Sequence, residues 1–260
     1  PIAWKDRDAV RKDIENLRDA VKEVKAEEVF MTAASPGVVP HFMKDQYYGS
    51  EEKYLYALAD ALKEEYDAIH RAGFVLQLDC PDLCMSRHNR FSDLSTTEFK
   101  KIADLHVAAL NHALRDIPAD RVRLHMCWGN YEGPHHLDIP LREIIDVVLK
   151  AKVGALSFEG ANPRHEHEWV VFKEIHLPDG VAIIPGVIDS TTHFIEHPEL
   201  VAQRIVRYAE VVGRENVIAG TDCGFGTFVR AEPTIDPRIA WAKLKSLADG
   251  AAIASKRLWN

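Results

Sequence analysis

Six short segments rich in Val, Ile and Leu recur along the 260 residues, and between them run stretches whose apolar residues return at helical spacing. This alternation constrains the chain more than any other feature. Strands joined by helices of this length pair in parallel, and a parallel sheet must be covered by those helices. The expected strands are 29–35, 74–79, 122–128, 155–160, 181–189 and 217–223. The expected helices are 50–72, 96–114, 140–150, 198–212 and 239–247. In the first of these, Tyr54, Leu58, Ala61, Leu62, Tyr66 and Ile69 fall on one face.

Every expected strand ends in polar, small or sulfur-bearing residues, where a (β/α)8 TIM barrel builds its active site. Six strands do not close an eight-stranded barrel, so the chain reads either as a barrel lacking its first two βα units or as an open doubly wound sheet. No Gly-rich phosphate-binding turn follows any strand, which favours the barrel. Without internal repeats or low-complexity linkers, residues 1–260 are expected to form a single catalytic domain.

The formal charge of −8 and the lack of any Lys/Arg cluster argue against nucleic acid as a partner. No apolar run approaches a membrane span, and the first residues have neither a basic nor an apolar leader pattern, so a cytoplasmic location is expected. Four cysteines in a chain this long do not make a disulfide scaffold; thiols, free or metal-bound, in a reducing compartment are favoured.

The sharpest local feature is His125-Met126-Cys127 at the end of the third strand. Alternating side chains put positions i and i+2 on one face, so both donors can share a metal. Cys223 closes the last strand, and Glu159 closes the fourth. Converging strand ends can deliver nitrogen, two sulfurs and an oxygen to one Zn2+. Spacing alone also fits inert packing, since cysteine is among the most buried residue types.

The segments HMCWGN, LSFEGANPR, IIPGVIDSTTH and AGTDCG, in this order and separation, resemble the zinc-binding half of the cobalamin-independent methionine synthase family. The likeness covers nearly the whole chain, and HMCWGNYEGPHH is similar to a bacterial methionine synthase-like branch. Epoxyalkane:coenzyme M transferases and uroporphyrinogen decarboxylase share the superfamily. The resemblance implies that His125, Cys127, Glu159 and Cys223 hold Zn2+. It further implies two preceding βα units, so an N-terminal segment or an oligomer contact is expected to complete the barrel.

Two thiolates, a carboxylate and a neutral imidazole give such a zinc site a net charge of about −1, which suits thiolate activation better than water activation. The partners expected are a small-molecule thiol and an alkyl donor, folate-like or an epoxide. Glu159, the hardest ligand, is expected to yield to the incoming thiol, as the resemblance also implies. Asp79 matches a family residue that contacts the substrate amino group, although a strand-end Asp can equally cap its loop. Cys80 stands where the family usually has Glu, which leaves the thiol's identity open.

Asp189 and His193 are the expected catalytic pair, His193 as general acid, with a surface loop as the bland alternative. Trp128 and Tyr131, just beyond two ligands, are expected to line the substrate pocket. Asn162 and Arg164 are expected to orient Glu159; His135 and His136 to be solvated or to support the ligands; His165 and His167 to open a polar helix. The alternatives to methyl transfer are opening of an epoxide by a zinc thiolate and a zinc-binding subunit inactive without its partner.

Overall fold

The computed structural model describes residues 1–226 and 234–260. All six strands form and pair in parallel in the order of the sequence: β1 (Phe30–Ala34), β2 (Val75–Asp79), β3 (Val122–His125), β4 (Ala155–Phe158), β5 (Ala182–Ile188) and β6 (Gly220–Thr221). The eight α-helices are α1 (Arg7–Val21), α2 (Val39–Phe42), α3 (Glu51–Arg71), α4 (Met85–Asn89), α5 (Thr96–Ala113), α6 (Leu141–Val148), α7 (Pro198–Val212) and α8 (Pro237–Trp259). Their apolar faces cover one side of the sheet, where Leu76, Leu78, Leu124 and Leu156 are fully or almost fully buried.

The sheet curls around its other face. One cavity of about 380 Å3 is lined from every strand, from Phe30 and Thr32 on β1 through Ser157 on β4 to Gly220 and Thr221 on β6. The architecture is a partial (β/α) barrel, and among the described residues β1 and β6 pair on one side only. On β1 the alternation is plain: Phe30, Thr32 and Ala34 are exposed on the concave side, and Ala33 is buried against the helices. Among the described residues no helix is long and apolar enough to cross a membrane.

The helix ends follow local chemistry. Ser95 and Glu98 form a reciprocal capping box at α5, and Ser50 caps α3. Pro198 opens α7, and Gly213, at φ +91°, ends it. The sequence reading differs at four helices. It omits α1, whose narrow stripe of Val10 and Ile14 joins the main core. It also omits the one-turn helices α2 and α4, too short to show periodicity. It ends the last helix at residue 247, whereas α8 runs on through Gly250. A Cβ on Gly250 would meet Val201 at 2.5 Å, so this glycine serves close approach to α7 rather than termination.

Buried polar clusters fasten the loops to this frame. Lys243 of α8 is fully buried and pairs with Glu196 at 2.7 Å, while Glu196 also accepts from the Asp189 N–H at 2.8 Å. Ser35, after β1, donates to Asp82 at 2.6 Å, and the other oxygen of Asp82 meets His106 Nδ1 of α5 at 2.9 Å. Burial opposes charge on His106, but Asp82 and Glu51 outweigh it and raise its pKa to about 9.

A raised imidazole pKa stabilises the fold fully below its unfolded value, near 6.5, and that stability is lost as pH rises through about 9. Urea unfolding at pH 6.5 and pH 9.5 should therefore show a loss on the order of 3 kcal/mol from this residue. The slope should flatten in His106→Gln; an identical pH dependence in the variant would refute the assignment.

Candidate metal centre

The ends of β3 and β6 bring three soft donors together. One ligand atom from each of His125, Cys127 and Cys223 lies within 4.8 Å of the others. His125 is the last residue of β3, paired in register with Asp79 and Ser157. Cys127 lies just past the strand, not within it, and its carbonyl accepts from the Met85 N–H at 3.2 Å. Cys223 follows β6 and is the more exposed of the two sulfurs.

The donor chemistry fits a metal. His125 Nδ1 lies 3.1 Å from Ser157 Oγ, which leaves Nε2 as a buried ring nitrogen with no hydrogen-bond partner. The neighbouring Cys127 thiol holds Cys223 well below the ordinary thiol range, and His125 adds to the effect. Cys127 is pushed up in turn. Two adjacent sulfurs beside a buried imidazole nitrogen without a partner form a donor set suited to a divalent ion of zinc's softness.

Glu159 stands outside that group of three and is already engaged. Its Oε1 accepts from the Trp128 N–H at 2.8 Å; its Oε2 accepts from Asn162 Nδ2 and Arg164 Nη2, each at 2.8 Å. Asn162 and Arg164 thus orient this carboxylate as the sequence led us to expect. Asp79 lines the cavity beside His125, and burial raises its pKa.

Comparison with known proteins fixes the relationship. Residues 15–239 match the family described as "Cobalamin-independent synthase, Catalytic domain". The chain belongs to that family. It is 25% identical over 240 residues to a methionine synthase of Thermococcus kodakarensis, covering 92% of this chain and 61% of that protein. It is 27% identical over 180 residues to a 2-hydroxypropyl-CoM lyase of Xanthobacter autotrophicus, covering 60% of this chain and 46% of that one. This chain therefore spans roughly half to three-fifths of the length of these curated relatives. The structure of a B12-independent methionine synthase from a Shewanella species, in complex with selenomethionine, superposes with a TM-score of 0.77 at 21% identity. That alignment covers 100% of this chain and 70% of the other, and shows the shared fold.

Within this member of the cobalamin-independent synthase family, the remaining expected residues scatter. Asp189 is buried and accepts from the N–H and hydroxyl of Thr191, at 2.9 and 3.0 Å, capping its own turn. His193 is exposed on the same loop. Neither borders the cavity next to the sulfurs. Trp128 has no exposed surface: its indole N–H donates to the Ile139 carbonyl at 2.7 Å, and its ring stacks on His165 at 4.0 Å. The Tyr131 hydroxyl reaches His88 Nε2 at 3.1 Å.

His165 does precede a helical segment, Glu166–Lys173, but it is buried rather than part of a polar surface. It is buried between Asp138, 3.1 Å from Nε2, and Glu168, 2.8 Å from Nδ1. Burial works against its charge, yet the two carboxylates lift its pKa to about 9. His135 Nδ1 meets the same Asp138 at 2.9 Å, whereas His136 and His167 are exposed. Cys80 and Cys84 are buried in the main core, where burial raises both thiols.

One residue at the centre has no counterpart in the sequence reading. Asp222, 1% exposed, accepts from the N–H groups of Gly160, Ala161 and Asn162 and from Asn162 Nδ2, all at 2.8 Å. Burial and the nearby Glu159 push its pKa up to about 7, against the N–H donors that favour the carboxylate. Its place beside Cys223 in AGTDCG is the signal a reader of the sequence could have used. Asp222→Ala leaves those donors buried and unpaired, and should cost about 3 to 5 kcal/mol in urea unfolding. A loss under about 1 kcal/mol, the scale of an ordinary surface change, would contradict this role.

Proposed function

We propose that His125, Cys127 and Cys223 hold one Zn2+, with Glu159 as a fourth and exchangeable ligand, in an enzyme that transfers a methyl or other alkyl group to a small thiol. The observation that carries this reading is the convergence of one imidazole and two thiols within 4.8 Å, with His125 and Cys223 on the cavity wall. When bound there, zinc supplies a Lewis acid that lowers the pKa of a substrate thiol without being acidic enough to favour water.

The chain's own residues then have distinct tasks. Ser157, at Nδ1 of His125, fixes the ring so that Nε2 is the donor. The Glu159 carboxylate keeps its partners Trp128, Asn162 and Arg164 with or without a metal, so it can withdraw without becoming an unpaired buried charge. Asp79, on the cavity wall, receives the polar group of the thiol substrate. Trp128 acts from beneath, through its N–H and its packing, and Tyr131 closes the loop above the histidines. On the β5 loop, Asp189 sets the turn that carries His193.

The likeness to a 2-hydroxypropyl-CoM lyase, together with Cys80 in place of the family's usual Glu, favours a second reading in which the carbon electrophile is an epoxide. Product analysis with methyl donors and with epoxides separates the two. Turnover only in the presence of a partner polypeptide would instead identify a zinc-binding subunit.

Zinc content settles the shared premise. Purified protein should carry near-equimolar zinc, and Cys223→Ser should lose most of it on dialysis while keeping its circular dichroism spectrum. Undiminished zinc in the variant would overturn the assignment.

A further inference from the structure

The cavity lined by His125 and Cys223 is also lined by the guanidinium-bearing Arg123. Arg123 and His125 sit two residues apart on β3, so both side chains enter the concave side, Arg123 one layer deeper. The guanidinium of Arg123 stacks 3.5 Å from the Phe30 ring centroid, and its Nε donates to Gln77 Oε1. Gln77 is its register partner on β2, just as Asp79 partners His125.

Its two terminal nitrogens have no hydrogen-bond partner among the described residues. The carboxylate that acts on it is Glu28, which is itself paired with Arg121 at 3.1 Å. A planar guanidinium held by an aromatic face and an amide, with its terminal donors left over, is arranged for a bidentate acid.

We propose that Arg123 is a specificity-determining residue that binds the acidic group, carboxylate or sulfonate, of the thiol substrate. The inference rests on the thiol reading above and adds the substrate's charge and length. Alternate strand positions lie about 7 Å apart, so a sulfur near His125 and an acid at Arg123 belong to one short molecule. Asp79 lies level with His125, one layer above Arg123, and so excludes the acid from that level while accepting an amine there. An amino-acid thiol can therefore satisfy both layers, and a mercaptoalkyl sulfonate satisfies the deeper one.

Calorimetric titration of the zinc-loaded protein with homocysteine, 2-mercaptoethanesulfonate, 2-mercaptoethanol and cysteamine tests this. Acidic thiols should bind more tightly than 2-mercaptoethanol. In Arg123→Gln the ratio of acidic to neutral affinity should fall about 10- to 100-fold, the worth of a charge-assisted pair. Arg123→Glu should reverse the order in favour of cysteamine. Homocysteine against 2-mercaptoethanesulfonate distinguishes carboxylate from sulfonate.

Homoserine and ethanesulfonate, which have no thiol, give a readout independent of the metal, and their weaker binding should also vanish in Arg123→Gln. Equal affinity for all thiols, or a ratio unmoved by either variant, overturns the role of Arg123 while leaving thiol binding intact. Failure of every thiol to bind, with the thiol-free acids still bound, would instead count against the thiol reading and not against the acid site.

Discussion

Three strand ends in this molecule are tied together by the carboxylate and backbone of Asp222. Its oxygens collect the N–H groups of the turn after β4, and its own N–H donates to the Ile188 carbonyl of β5 at 3.0 Å. Its neighbour in sequence is Cys223. The position of that sulfur is therefore set by the same residue that sets the turn carrying Glu159. Space for the carboxylate exists because residue 186 is glycine: a Cβ there would fall 1.9 Å from Asp222 Oδ1. The register shift between β5 and β6 at Gly186 and Ile188 marks the same crowding.

The second constraint runs from the opposite side of the centre. Trp128 fixes the chain just after Cys127, through its N–H to Glu159 and its ring against His165. Behind the ring, Asp138 gathers His135 and His165, and Glu168 holds His165 while accepting the Leu141 N–H at 2.6 Å. These contacts carry order from α6 to the proposed metal ligands through packing and hydrogen bonds. The aromatic and histidine-rich loop after β3 is thus a rigid support, with few of its rings open to solvent.

Much of this was legible in the sequence. Strand and helix alternation gave the number and order of the strands, since periodicities of two and about 3.6 differ strongly where one face is buried. The His-x-Cys pair and the later cysteine identified three donors that the fold brings together. Tertiary partners decided what the sequence could not express. His165 looks like a polar helix start until Asp138, 27 residues earlier, is found against it. The last helix reads as ending at residue 247 until Gly250 is found packed beside Val201. Among the described residues Asp222 has no local partner; its donors lie about 60 residues away.

The alternation on β1 has a consequence for how charge is felt inside the barrel. Phe30, Thr32 and Ala34 meet solvent, while Glu159, Asp222 and Cys127 across the curl are almost dry. The interior is therefore a dielectric gradient, with high permittivity toward β1 and low permittivity toward β4 and β5. Charge that builds at the sulfurs interacts over longer range with the dry wall than with the wet one. A charge carried across the cavity from the β1 side would shed its last waters only where the fixed dipoles of the turn after β4 replace them.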